Sequence, residues 1–249
     1  MKCAYSTNIG AKRKVNQDAY LAANVEKDGL LYYVFAVADG LGGHQSGEVA
    51  SKMTIDYIKK NISQIDDFAD YAQVSAFVNG INQEIIWEGC HHQKDLGMAT
   101  TLTMAVVHDD DMVIYHVGDS RAYRINTEEI EQLTKDHSLV QALIDKGRIT
   151  STEAKTHPQK NVITRALGTD ESVKTDLYEY KIYPGDTILL CSDGLYNMVG
   201  NNEIQRIVME NNIEEAAKEL VNLANYNGGS DNITVIIMQP EEGVNANDR

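Results

Sequence analysis

Cysteine is scarce in this chain, with three residues among 249. Cys3, Cys90 and Cys191 are odd in number and have no Cys-x-x-Cys spacing, which argues against a disulfide framework and against a zinc knuckle. Cys191 lies inside an apolar run, so we expect it to be a buried structural thiol.

Proline is equally scarce, with three residues, and no proline-rich, serine-rich or charge-block linker interrupts the chain. A length of 249 residues lies at the upper end of the range for one domain. We therefore expect a single domain over residues 1–240 and a disordered tail over residues 241–249.

Long hydrophobic runs are also missing. The longest, Leu30 to Ala38, has nine residues, too few to span a bilayer as a helix. The first residues turn polar at once, unlike a secretory signal peptide. We expect a cytoplasmic protein with no membrane partner and, by default, a monomer.

Basic residues are outnumbered, with 22 Lys and Arg against 37 Asp and Glu, a net charge of −15. Nonspecific nucleic-acid binding and docking on an anionic membrane both need clustered Lys and Arg, so this balance argues against them. Phosphorylated substrates are not excluded, because bound cations invert the local field at a carboxylate site.

Four aspartates stand at the ends of short apolar segments that have the pattern of buried strands. Asp39, Asp119 and Asp193 follow such segments, and Asp231 precedes one. Taken singly, an Asp-Gly pair is more often a hairpin turn. Four carboxylates converging at one rim of a sheet would repel one another unless cations lay between them, so together they favour a polynuclear divalent-metal site.

The remaining pattern indicates an α+β fold. Apolar residues recur at helical spacing after Gly47 and over 70–87, and strand patterns cover 101–107, 112–117, 187–191 and 233–238. Since strands and helices do not alternate as βαβ units, we expect a sheet-on-sheet core with helices outside.

Residues 134–166, called the flap segment below, are polar and irregular. Short helices are predicted over 139–146 and after Thr150, where Thr150 and Glu153 fit a capping box. Such a segment between strands is typical of a mobile cover over a site.

Seven motifs in register resemble those of the metal-dependent Ser/Thr protein phosphatase family called PPM or PP2C, most closely its bacterial branch. In chain order they are Arg13-Lys14-Val15-Asn16-Gln17-Asp18, Ala38-Asp39-Gly40-Leu41-Gly42-Gly43-His44, Gly97-Met98-Ala99-Thr100-Thr101, Gly118-Asp119-Ser120-Arg121, Leu133-Thr134-Lys135-Asp136-His137-Ser138, Cys191-Ser192-Asp193-Gly194-Leu195 and Gly229-Ser230-Asp231-Asn232-Ile233-Thr234. The resemblance runs from Arg13 to Met238. It implies a β-sandwich of two antiparallel sheets flanked by pairs of α-helices.

The resemblance also implies roles for individual residues. Asp39 bridges two metal ions and the Gly40 carbonyl completes the shell of the first, whereas Asp193 and Asp231 bind the second. Asp119, with Asp193, holds a third ion. By the same resemblance, Asp18 contacts metal-bound water from outside the ligand shell, and Arg13 clamps the substrate phosphate.

An all-oxygen shell selects Mn²⁺ or Mg²⁺, between which the sequence does not choose. The reaction implied is hydrolysis of phosphoserine or phosphothreonine in proteins by a hydroxide bridging two ions. The partners implied are phosphorylated proteins, among them a cognate Ser/Thr kinase and its substrates.

Two positions depart from the eukaryotic pattern. Leu41 occupies the place of a general-acid histidine, which leaves the acid unassigned, with His44, His137 and metal-bound water as alternatives. Gln17 replaces a glutamate that contacts water on the first ion.

Two other functions compete with the phosphatase. A pseudophosphatase that binds phosphoproteins would be indicated by loss of a ligand aspartate, and none is missing. A metal-dependent nuclease or phosphodiesterase is disfavoured by the acidic chain without a basic groove signal.

Overall fold

Two antiparallel β-sheets form the centre of the protein. A computed structural model describes residues 1–43, 46–91 and 97–240; the predicted tail and His44 lie outside these residues. The five-stranded sheet has the order β1-β11-β10-β7-β8, with bounds β1 Lys2–Asn8, β7 Arg121–Ile125, β8 Ile130–Gln132, β10 Thr187–Cys191 and β11 Ile233–Gln239. The other sheet has the order β2-β3-β5-β6-β9, with a short β4 paired to β3; its bounds are β2 Asp18–Lys27, β3 Leu30–Leu41, β4 Ala99–Thr100, β5 Leu102–His108, β6 Asp111–Val117 and β9 Asp176–Lys181.

Helices cover the outer face of each sheet. Their bounds are α1 Ser46–Asn61, α2 Tyr71–His91, α3 Leu139–Asp145, α4 Ser151–Thr156, α5 Asp193–Tyr196, α6 Asn201–Glu210 and α7 Ile213–Tyr226. The pair α1 and α2 packs on the six-stranded sheet, and the pair α6 and α7 packs on the five-stranded sheet. The predicted α+β sandwich flanked by helix pairs is confirmed.

The alternation of side chains along β3 shows how one apolar run serves two layers. Successive side chains of a strand point to opposite faces. Val34 and Ala36 therefore pack toward α1 and α2, whereas Phe35 and Val37 pack between the sheets against Leu190 and its neighbours. A strand buried on both faces must be continuously apolar, which explains residues 34–38 of the nine-residue run.

Four strands were not predicted from the sequence: the short β4 and β8, and the longer β1 and β9. The last two show why. Both lie at sheet edges and read as mixed polar segments, since most of their residues are exposed or half-buried. Helix α2 also extends beyond its expected end at Trp87, which is 54% exposed and stacks on His91. Trp87 therefore packs at a helix end and not in the core.

The two helices expected in the flap segment are present as α3 and α4. The predicted capping box is confirmed, because Thr150 Oγ1 accepts from the Glu153 N–H at 3.2 Å and Glu153 Oε2 accepts from the Thr150 N–H at 2.7 Å. In the part of the chain that the structure describes, no helix combines the length and apolar character that crossing a bilayer requires.

Truncation of Leu190 tests the packing between the sheets. Leu190 is fully buried, whereas Leu30 is 45% exposed. We expect Leu190→Ala to lower the free energy of unfolding by about 2–5 kcal/mol, and Leu30→Ala to lower it by less than about 1 kcal/mol, in urea denaturation followed by circular dichroism. Equal losses for the two variants would contradict an inter-sheet core at Leu190.

Candidate metal and phosphate site

The predicted site residues meet at one end of the sandwich, and both sheets contribute. Asp39 ends the apolar run of β3 directly opposite Asp18 at the start of β2, and Asp119 follows β6 on the same edge. From the other sheet, Asp193 follows β10 and Asp231 precedes its antiparallel neighbour β11. The site therefore lies across the seam between the sheets.

The backbone fixes Asp39 from both sides. Its carbonyl accepts from the Thr101 N–H at 2.9 Å and from Thr100 Oγ1 at 2.8 Å, and its N–H donates to Thr101 Oγ1 at 2.9 Å. The next residue must be glycine, because a Cβ on Gly40 would lie 2.2 Å from the carbonyl oxygen of Gly47. The first turn of α1 thus packs directly against the end of β3.

Asp193 begins α5, and its side chain is held by that helix. Asn197 Nδ2 donates to Asp193 Oδ2 at 3.0 Å. A Cβ on Gly194 would lie 2.0 Å from the Asn232 carbonyl oxygen, so glycine lets the segment before β11 approach α5. This contact brings Asp231 next to Asp193.

Asn232 ties the N-terminal loop to the site, and the sequence analysis did not assign it a role. Its Oδ1 accepts from the Gln17 N–H at 2.8 Å, and its Nδ2 donates to the carbonyls of Ile9 and Val15 at 2.8 and 3.0 Å. These bonds place the segment that carries Arg13 and Asp18 over the seam. The asparagine in the Asp231-Asn232-Ile233-Thr234 motif was the available signal.

A second support lies beneath Asp119. Tyr196 donates its hydroxyl to the Asp119 carbonyl at 3.0 Å, and the Arg121 guanidinium stacks on the Tyr196 ring at 3.6 Å. Arg121 also binds both carboxylate oxygens of Asp136, at 2.9 Å from Nε and 2.6 Å from Nη2. Sequence reasoning missed this network, because the contacts join β7 to α5 and to the flap segment.

His137 is occupied on both ring nitrogens. Nδ1 accepts from the Gly118 N–H at 2.9 Å, and Nε2 lies 3.1 Å from Asp176 Oδ2. A neutral ring that accepts at Nδ1 carries its proton at Nε2, and this N–H donates a hydrogen bond to the Asp176 carboxylate. His137 therefore holds the Gly118-Asp119 turn and has no proton directed at a substrate.

Three oxygens of this cluster are buried without a hydrogen-bond partner: Asp18 Oδ1, Asp119 Oδ1 and Asp193 Oδ1. Buried polar atoms normally have partners, and an orphaned one costs free energy of folding. Burial raises the pKa of Asp18 to about 6, and burial with the nearby Asp136 raises that of Asp119 to about 7. Burial and neighbouring aspartates hold the pKa values of Asp39 and Asp193 well above the usual range. Oxygen donors with these properties fit hard divalent cations.

The Asp231 carboxylate forms an ion pair with Arg13. Arg13 Nη2 donates to Asp231 Oδ2 at 2.6 Å, and Asp231 Oδ1 accepts from the Asn232 N–H at 2.8 Å. Across residues 1–43, 46–91 and 97–240, no three His, Cys, Asp or Glu side chains form a group that could enclose one ion. Divalent ions at this place would therefore need backbone carbonyl and water donors in addition to carboxylates, and Arg13 would compete with them for Asp231.

The chain is similar to known proteins over nearly its whole length. The family profile described as Protein phosphatase 2C matches residues 10–233. Protein phosphatase PhpP of Streptococcus pneumoniae is 36% identical over 252 residues, which cover 97% of this chain and 98% of that protein.

Solved structures extend the likeness to three dimensions. A bacterial serine phosphatase superposes with a TM-score of 0.88 at 37% identity and covers 98% of this chain and 99% of its own. The catalytic domain of the serine/threonine protein phosphatase PstP in complex with two manganese ions has a TM-score of 0.81 at 34% identity, covering 95% and 96% of the two chains.

The raised carboxyl pKa values predict how stability depends on pH without metal. The folded-state pKa values of Asp119 and Asp18, about 7 and about 6, exceed the ordinary value of 3.8. Their contribution is fully present below about pH 4 and is lost as the pH rises through 6 and 7. In EDTA, we expect urea unfolding to show lower stability at pH 8 than at pH 5.

Asp119→Asn removes one of these titrations. We expect the variant to exceed the original protein in stability at pH 8 in EDTA, by on the order of 2 kcal/mol, and to depend less on pH. The exposed Asp56→Asn is the matched control and should follow the original protein. An unchanged pH slope in Asp119→Asn would contradict a buried carboxyl with a raised pKa.

Proposed function

This chain belongs to the protein phosphatase 2C family and is a protein-serine/threonine phosphatase of the bacterial PPM type, and we propose that it hydrolyses phosphoserine and phosphothreonine with divalent ions held at the seam of its two sheets. The observation that carries the proposal is the convergence of five aspartates from both sheets, three of them with buried, unpartnered oxygens.

The proposed ligands follow the sequence assignment. Asp39 would bridge two ions and Gly40 would add its carbonyl to the first; Asp193 and Asp231 would hold the second, and Asp119 with Asp193 a third. Asp18, which accepts from Ser192 Oγ at 2.7 Å, keeps its other oxygen free of any protein hydrogen bond for a water on the ions.

Two Mn²⁺ or Mg²⁺ ions at this place would activate a water for in-line attack on phosphorus and offset the charge of the phosphoryl group. The manganese in the PstP structure and the oxygen-only donor set both support a hard ion.

Arg13 would bind the substrate phosphate. Its side chain is 47% exposed and reaches the metal-site residue Asp231, so a small rotation brings its planar fork to a phosphate at the seam. Arg13 thus has two anionic partners at one place, a ligand carboxylate and the substrate.

The leaving-group proton does not come from His137, whose contacts with Gly118 and Asp176 occupy both nitrogens. Leu41 offers no proton, and His44 lies outside the described residues. Water within the site is therefore the donor that we propose.

The proposed partners are phosphorylated proteins, including a Ser/Thr kinase and the substrates of that kinase. We propose that the protein acts on them as a monomer in the cytoplasm. The acidic chain, at −15, supports protein substrates over nucleic acid.

Phosphate release from a phosphothreonine peptide tests the function. We expect release with Mn²⁺ or Mg²⁺ and none in EDTA. Asp39→Ala should lower kcat by at least about 100-fold, because both bridged ions lose a ligand, while the exposed control Asp56→Ala stays active. Metal-dependent activity retained in Asp39→Ala would contradict the assignment of the bridge.

No release with either metal from a folded protein would support the pseudophosphatase alternative. Binding of the same phosphopeptide without turnover, followed by fluorescence anisotropy, would then identify a phosphoprotein-binding module.

Removal of Arg13 should have two opposite effects. Arg13→Ala frees Asp231, so we expect tighter Mn²⁺ binding in calorimetry, and it removes a phosphate contact, so we expect kcat/KM to fall by about 10- to 100-fold. Lys12→Ala, next to it in the exposed loop, should change neither quantity. Weaker Mn²⁺ binding by Arg13→Ala would contradict competition for Asp231.

A further inference from the structure

A groove leads away from the site beneath the flap segment. Its volume is about 550 Å³, and it runs between α3 and α4 on one wall and the segment after α5 on the other. Among the described residues proposed as metal ligands, Asp119 is the one that lines it. The groove therefore adjoins the metal and phosphate site at Asp119, and a substrate bound by its phosphate has this space beside it.

The flap wall of the groove carries two lysines, Lys155 and Lys160. Among the residues that the structure describes, neither ammonium group forms an ion pair. Lys155 is exposed and Lys160 is half-buried. Both positive charges are thus available to a bound molecule.

The acidic residues of the flap helices are already engaged. Asp145 pairs with Lys135 at 2.8 Å, and Glu153 closes the capping box at Thr150. On the opposite side of the groove, the guanidinium of Arg121 is neutralised by Asp136. Among the charged side chains that line the groove, the two lysines are the cations without an acidic partner, and Asp119 is a carboxylate whose charge the proposed ions would offset.

This charge contrasts with the rest of the molecule. The chain carries −15 overall, so an acidic segment is repelled from most approaches. A positive wall beside the phosphate site gives one favourable path for a chain that bears further negative charge.

From the position of the groove beside the site and the charge of its wall, we propose that the groove holds the substrate segment adjoining the phosphoresidue, and that Lys155 and Lys160 select acidic residues in that segment. The proposal rests on the phosphatase function above and adds a specificity determinant to it. The flap segment then binds substrate in addition to covering the site.

Four phosphothreonine peptides of one sequence test this selection. They carry two Glu residues before the phosphothreonine, after it, on both sides, or Gln at all four positions. With Mn²⁺, we expect at least one of the three Glu peptides to have a kcat/KM about 3- to 10-fold above that of the Gln peptide. The increase should come from a lower KM, and it should shrink as the salt concentration is raised.

Charge variants assign the preference to the lysines. The double variant Lys155→Ala with Lys160→Ala should cleave Glu and Gln peptides alike, and Lys155→Glu with Lys160→Glu should prefer Gln. Lys146→Ala, an exposed flap lysine that does not line the groove, is the matched control and should keep the original preference. Hydrolysis of p-nitrophenyl phosphate, which is too short to extend from the phosphate site to the two lysines, should be equal in all of these proteins.

The outcomes separate the two proposals. If p-nitrophenyl phosphate is hydrolysed but all four peptides react alike, or if the preference survives in the charge-reversed variant, the groove proposal is overturned and the phosphatase stands. If nothing is hydrolysed, the proposed function fails, and anisotropy of the labelled peptides on the unmodified protein decides the groove: tighter binding of a Glu peptide supports it, and equal binding overturns it.

Discussion

Electrostatic repulsion among buried carboxylates is the constraint on which the rest of this structure depends. Asp39 and Asp193 are half-buried at the edge of the sandwich, where loss of solvent and mutual repulsion oppose their charge. Such a cluster persists only because the surrounding fold over-determines it: antiparallel strand pairs, two glycines in backbone contact and an apolar layer between the sheets hold the acidic rim in place. The stability of the sandwich therefore compensates for the unfavourable cluster of carboxylates at its edge.

Arg13 and Asn232 have different roles beside the carboxylate cluster. Asn232 is a fixed structural tie with three backbone partners, whereas Arg13 is an exposed and movable charge. Arg13 can therefore leave Asp231 without unfolding the segment that also carries Asp18, because Asn232 holds that segment in place.

The sequence predicted the layers and the convergence of the aspartates because both leave local signals, a buried strand and a polar residue at its end. It did not predict β1 and β9, since edge strands keep much of their surface in water and lose the continuous apolar pattern. Nor did it predict the contact of Tyr196 with Arg121, or of Arg13 with Asp231. These pairs are distant in sequence, and only the closed sandwich brings them together.

The order of the strands along the chain determines when the site is completed during synthesis. β1, the first strand, pairs along its length with β11, the last, and Asp231 immediately precedes β11. During synthesis, the early strands carry Asp18 and Asp39 long before their partner carboxylate exists. A chain interrupted anywhere before β11 has neither the second sheet closed nor the rim complete. Completion of the carboxylate cluster is thus a late event of synthesis, because it waits for the last strand and the aspartate before it.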